Sequence, residues 1–344
     1  METPTQEWVR LLTNFNNSLF EGETMEWNPQ PVEAKIGIHF KTSDTLRLAL
    51  VHRSYAQQIS EPETNNDRLK FLGNVILNFV VTDYLYHHCP HLEVGNLSAL
   101  RDKLIEGERL TKLWFQLGLG DAYPFLALKE ERHRLRQQRH NPFEEAFIAL
   151  VGAIHVDRGF SQTRNWLVKN LLAPVLERHL KNSKERCTPN KQLKLLGDAL
   201  LKAIVIDYLY CLLPCVSESR LAGLYKELVC SDRLAEYSRQ LAPEDLTMLQ
   251  QGTEEINTKP FKILLGAIYL ELSASDDKRG FSKTCEWFVG HFLDEDEVLR
   301  RAIALLLEDG KPQKWIIRYV MGYESKNYNE GRERFNAVLE GHKV

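Results

Sequence analysis

One stretch of this chain occurs twice, and that constrains its fold more than any other feature. Residues 68–86 read RLKFLGNVILNFVVTDYLY and residues 192–210 read QLKLLGDALLKAIVIDYLY, with ten of nineteen positions identical and no gap. The shared positions include Leu69/Leu193, Lys70/Lys194, Gly73/Gly197 and the closing DYLY. A second match follows in the same order, FIALVGAIHV at 147–156 against FKILLGAIYL at 261–270. Two matches in one order mark an internal duplication, so the fold must be one unit used twice. The length of 344 residues suits about two domains.

The repeated unit has helical period. Leu69, Leu72, Ile76, Phe79 and Val80 recur at three- and four-residue steps, as do Leu193, Leu196, Leu200 and Ile204. Residues 97–117, 219–241 and 162–180 also read as helices. Few segments alternate with period two, and Trp315–Val320 (WIIRYV) is the main strand candidate. The expectation is an all-α protein with a small mixed α/β tail over 294–344. The polar stretch 181–190 (KNSKERCTPN), with Pro189, marks a linker. The predicted division is an N-terminal extension 1–31, a first domain 32–182, a second 187–293 and the tail 294–344.

Composition excludes some classes. Hydrophobic residues at 43% and charged residues at 26% are ordinary for globular chains and argue against general disorder. No apolar run approaches the ~18 residues that cross a bilayer, so no membrane role is expected. A net charge of -3 gives no global sign of a nucleic-acid protein, so such a role must rest on local patches. The best is Lys129–His140 (KEERHRLRQQRH), which carries Arg132, Arg134, Arg136 and Arg139. It reads equally well as a solvated stretch. Arg101 and Lys103 read more readily as structural ion pairs. The six cysteines show no CxxC spacing, and free thiols in a reducing compartment are expected. The acidic N-terminal stretch does not resemble a transit peptide, which predicts a cytoplasmic, bacterial protein, with an organelle matrix or stroma as the alternative.

The motifs resemble a known family. Ile36-Gly-Ile-His-Phe, then ALVHRSY at 49–55, DRLKFLGN at 67–74, LSALRDKL at 97–104 and EEAFIALVGAIHVDRG at 144–159 resemble, in order, the segments of ribonuclease III domains. The second half repeats KQLKLLGD at 191–198, SRLAGLYKELV at 219–229 and TKPFKILLGAIYLE at 258–271, without an HRSY segment. The resemblance implies two ribonuclease III-like helical domains, paired internally as a pseudodimer, and double-stranded RNA as partner. Recognition of such a duplex is by shape, phosphate and 2′-OH.

The resemblance also implies four metal-binding carboxylates per domain, because magnesium takes hard oxygen ligands and activates water. In the first domain those positions carry Lys70, Asn74, Glu145 and Ile148; in the second, Lys194, Asp198, Lys259 and Lys262. One acid survives in each. An ammonium repels a divalent ion, so the expectation is a degenerate site with no cofactor, no metal and no catalysis: a pseudoenzyme. Lys70, Lys194, Lys259 and Lys262, with the four arginines of 129–140, are the candidate RNA contacts; drift to solvated lysine is the alternative. The plan is similar to that of the chloroplast intron-splicing factor with two such domains. This implies RNA processing or splicing, with a splicing or ribosomal ribonucleoprotein as partner. A ribosome-associated scaffold and an active endoribonuclease with relocated ligands are the rivals.

Overall fold

The computed structural model describes residues 28–58, 64–120, 141–174, 189–241, 261–275 and 279–341. Sixteen helices occur among them: α1 Gln30–Ile36, α2 Ser43–Leu50, α3 Arg53–Gln58, α4 Asp67–His88, α5 Val94–Leu104, α6 Gly107–Gln116, α7 Pro142–Arg158, α8 Phe160–Leu167, α9 Pro189–Leu212, α10 Glu218–Leu228, α11 Ser231–Gln240, α12 Phe261–Ser275, α13 Gly280–Phe292, α14 Glu295–Glu308, α15 Gln313–Tyr319 and α16 Tyr328–Glu340. A π-helical turn, Val168–Leu172, continues α8. No extended strand occurs among the described residues, so the chain is all-α. It forms two compact units that meet in sequence within α9, one ending at Ala203 and the other running from Ile204 to the C-terminal end.

In the first unit α4 and α7 form the centre. Leu69, Leu72, Val75, Ile76, Leu77, Phe79, Val80, Val81 and Leu85 of α4 are all buried. That is more than one face, as a helix enclosed by others requires. The repeated glycines explain how two such helices approach. A Cβ on Gly73 would overlap the Ile148 carbonyl, and one on Gly152 would overlap the Leu69 carbonyl, so the helices touch backbone to backbone. Flanking helices are tied on by polar groups. Asp157 of α7 accepts from the Lys41 and Thr42 amides (2.8 and 2.9 Å) at the start of α2. Trp166 of α8 donates through Nε1 to the Ile36 carbonyl at the end of α1 (2.8 Å). Asp83, fully buried in α4, receives Arg164 Nε of α8 at 3.2 Å and lies 3.3 Å from His87 Nε2. A buried carboxylate is tolerated only with such partners.

In the second unit α12 packs on α13 and α11. Tyr237, Phe261 and Phe292 pack in tilted and edge-on contact with ring centroids 5.0–5.6 Å apart. The Tyr237 hydroxyl donates to the Leu228 carbonyl at 3.0 Å, and burial pushes its phenol up to about 12.

Two expectations on elements need correction. Residues 97–117 and 219–241 are not single helices. Each breaks into two, at Ile105–Glu106 and at Val229–Cys230, where Glu106 and Cys230 are extended and begin the next helix. The tail is not mixed α/β. Trp315–Tyr319 lies in α15, and α14, α15 and α16 pack together as three helices. Pro312 precedes α15, Trp315 packs at a tilt against Tyr319 one turn on (5.4 Å), and Ile316 and Val320 are buried four residues apart. The short apolar run suits a helical face as well as a strand. The acidic start of α14 caps it: Asp294 accepts from the Asp296 and Glu297 amides.

Candidate functional site

The first turns of α4 and α7 hold the candidate residues of the first unit. Asn66, just before α4, fixes the approach. Its amide donates to the Val51 carbonyl (2.9 Å) and its side chain to the Ala49 carbonyl (3.1 Å). The end of α2, followed by His52 and Arg53, is thereby held beside Asp67. Asn141 begins α7 by accepting from the Phe143 amide (3.0 Å), with Pro142 at the first helical position. Glu145 then sits in the first turn, where a carboxylate is favoured by the helix dipole.

These elements converge on Lys70. Its ammonium lies 2.9 Å from Asp67 Oδ1 and 3.3 Å from Glu145 Oε2. Arg53 grips the other Asp67 oxygen at 2.6 Å. His52 Nε2 stands 3.7 Å from Glu145, and its Nδ1 is 2.9 Å from the Ser54 hydroxyl. Side-chain exposure is 22% for Lys70, 17% for Glu145 and 15% for Asp67, so the pairs are partly shielded from water. Burial pushes the His52 imidazole below its usual range, and Glu145 opposes this only in part. For Asp67, burial alone would raise the carboxyl; hydrogen bonds and charge from Lys70 and Arg53 outweigh it and hold the group low. Near neutral pH the cluster balances two cations against two carboxylates around a neutral imidazole.

The remaining sequence-derived positions lie apart from it. Asn74 is exposed and accepts from Asn78 (3.2 Å); Ile148 is half-buried and apolar. Lys194 and Asp198 are exposed on α9, and Lys262 is half-buried on α12. Lys259, Arg132, Arg134, Arg136 and Arg139 lie outside the described residues. Arg101 pairs with Asp102 at 2.8 Å. Sequence reasoning missed Asp67, although its spacing from Lys70, three residues along one helix, was a visible signal. It also missed Lys191 and Lys202. With Lys194 and Asp198 they form an exposed stripe of three lysines and one aspartate at three- and four-residue steps along α9.

The divalent ion that the resemblance implies does not fit the first-unit cluster as it stands. Lys70 already occupies one oxygen of each carboxylate, and Arg53 holds the second oxygen of Asp67. Like charges about 4 Å apart repel by roughly 4 kcal/mol per unit-charge pair at an effective dielectric of about 20, and a divalent ion doubles that. Among the described residues no group of three or more His, Cys, Asp or Glu is arranged to hold a metal, and no helix is long and apolar enough to cross a membrane.

Comparison with known proteins agrees on both halves. Residues 42–175 match a family model described as ribonuclease-III-like, and residues 191–273 match the ribonuclease III domain. Ribonuclease 3 of Pseudomonas paraeruginosa is 40% identical over 150 residues, which cover 42% of this chain and 62% of that protein. Ribonuclease 3 of Protochlamydia amoebophila is 37% identical over 139 residues, covering 40% and 57%. The solved nuclease domain of ribonuclease III from Campylobacter jejuni is 30% identical, covers 43% of this chain and 97% of that one, and superposes with a TM-score of 0.38.

These relatives overturn the expectation that the chain is no enzyme, because they are named as ribonucleases; the family match over residues 42–175 runs through the segment that holds the cluster. The expectation rested on a tally of four positions per domain. That tally left out Asp67, which the fold brings to the same ammonium as Glu145.

Proposed function

The chain belongs to the ribonuclease III family, and on that premise we propose that it binds double-stranded RNA and acts in RNA processing. It spans less than two thirds of the length of the two curated ribonuclease 3 proteins named above. The observation that carries the reading is the α9 stripe. Lys191, Lys194 and Lys202 are exposed at helical spacing, with Asp198 between them. At about 1.5 Å per residue they extend over roughly 16 Å, a span that meets successive phosphates of a duplex strand. Phosphate contacts of this kind position a duplex without reading its sequence.

Duplex RNA titrated against the protein at increasing salt tests the reading. Affinity should fall linearly with salt on logarithmic axes, as release of counterions requires. Replacing Lys191, Lys194 and Lys202 together by Glu should weaken binding at least about tenfold and reduce the salt slope by about three, one per phosphate contact. Salt-independent binding, or an unchanged slope in the triple variant, refutes it. The RNA is a structured transcript presented by a ribonucleoprotein. Crosslinking in cells followed by sequencing names it: intron sequence assigns a splicing role, and ribosomal RNA a ribosomal one.

A further inference from the structure

We propose that Lys70 is a resident cation that keeps a two-carboxylate divalent-ion site closed. One nitrogen touches an oxygen of Asp67 from α4 and an oxygen of Glu145 from α7. The two oxygens are therefore close enough for a single cation to serve both. They come from helices locked by the Gly73–Gly152 backbone contact, so the pair cannot spread to relieve crowding. Arg53 holds the second Asp67 oxygen and His52 stands beside Glu145, which aims both carboxylates inward. These are hard oxygen donors, the type that Mg²⁺ and Mn²⁺ take.

An ammonium on a four-carbon stem differs from a bound ion in one respect. It is tethered, so its local concentration never falls, and a free divalent ion must displace it to enter. The cluster is thereby satisfied at every metal concentration. Its charge balance, and the support it gives to the α4–α7 contact, do not vary with the supply of divalent ions. The inference concerns only the cation at the cluster; its test contains no RNA, so it stands or falls separately from the RNA reading.

The test uses the full chain and Mn²⁺ alone, followed by electron paramagnetic resonance and by melting temperature. Wild type should take up no Mn²⁺ at this cluster. Lys70→Glu, which adds a third carboxylate on the same turn, should gain one site and rise in melting temperature by roughly 5 °C at saturating Mn²⁺. Lys70→Gln, milder for folding, should gain a weaker site. Adding Glu145→Gln to either variant should remove the gain. In the wild type, Mn²⁺ should leave the Lys70 side-chain ¹⁵N signal sharp, a readout that does not depend on any variant folding. Paramagnetic broadening of that signal, or folded Lys70→Glu and Lys70→Gln proteins that take up no more Mn²⁺ than wild type, overturns the proposal.

Discussion

Lys70 and Lys194 stand at the same position of the two repeats, yet they live in different surroundings. Lys70 is enclosed, shared by Asp67 and Glu145, with Arg53 and His52 alongside. Lys194 lies exposed on α9, between Lys191 and Asp198. The reason can be read at neighbouring positions. The residue three before Lys70 is Asp67, whereas the residue three before Lys194 is Lys191. The counterpart of Glu145 in the second repeat is Lys259, and that repeat has no counterpart of the His52–Arg53 segment. The resemblance puts lysine at one carboxylate position of the first repeat, Lys70, and at three of the second, Lys194, Lys259 and Lys262. In the first repeat the acids beside Lys70 hold it in ion pairs; in the second, Lys194 lies exposed beside Lys191. A lysine in place of an acid therefore has no fixed meaning: its neighbours decide whether it closes a site or presents charge.

Four experiments break or sharpen this contrast. The largest effect should come from the frame on which the first cluster is built. Gly73→Val places side-chain atoms in the Ile148 carbonyl, and urea denaturation should register a loss of about 3 kcal/mol or more. Next, Glu145→Ala leaves a partly shielded ammonium with one partner fewer and should cost roughly 1–3 kcal/mol, whereas Asp198→Ala on exposed α9 should stay within about 0.5 kcal/mol. Equal losses would erase the difference between the repeats.

Acid should act on the first cluster. The His52 imidazole is held below its unfolded value of 6.5, so the unfolded chain binds the proton first. The contribution of His52 to stability is complete above that value and is lost as pH falls through its lowered native one. Asp67, also lowered, contributes fully above 3.8 and loses its contribution in stronger acid. Melting temperatures followed downward from neutral pH should therefore decline, and His52→Gln should flatten the first part of that decline. The smallest effect belongs to Lys194→Met, which should change stability by less than about 0.5 kcal/mol while lowering duplex RNA affinity.

Much of this was legible in the sequence, and the exceptions have physical causes. The duplication and the three- and four-residue spacing of Leu69, Leu72 and Ile76 were enough for the central helices. Trp315–Val320 misled because six apolar-rich residues fit either period; its neighbour Pro312 carried the deciding signal. The breaks at Glu106 and Cys230 were hidden because the apolar pattern resumes one turn later. At the site, Glu145 and Lys70 could be named singly, but not their meeting, which depends on α7 crossing α4 some 75 residues away. Asp67 was legible only as a charge one turn before Lys70; its place in the cluster depends on Glu145 arriving from α7 at the same ammonium.

The bonds that close the first unit also set a schedule for its synthesis. The start of α2 waits for Asp157, 115 residues downstream of Thr42, and α1 waits for Trp166, 130 residues downstream of Ile36. At about 5–20 residues per second, a ribosome takes on the order of ten seconds to deliver those partners. During that interval α4, buried on most sides in the finished protein, has no α7 to cover it. Local helix formation is complete within microseconds, so the wait is imposed by elongation and not by the chain's own motions. Codon choice between residues 42 and 166, and the chaperones present while they are made, thus govern how long this apolar helix stands uncovered.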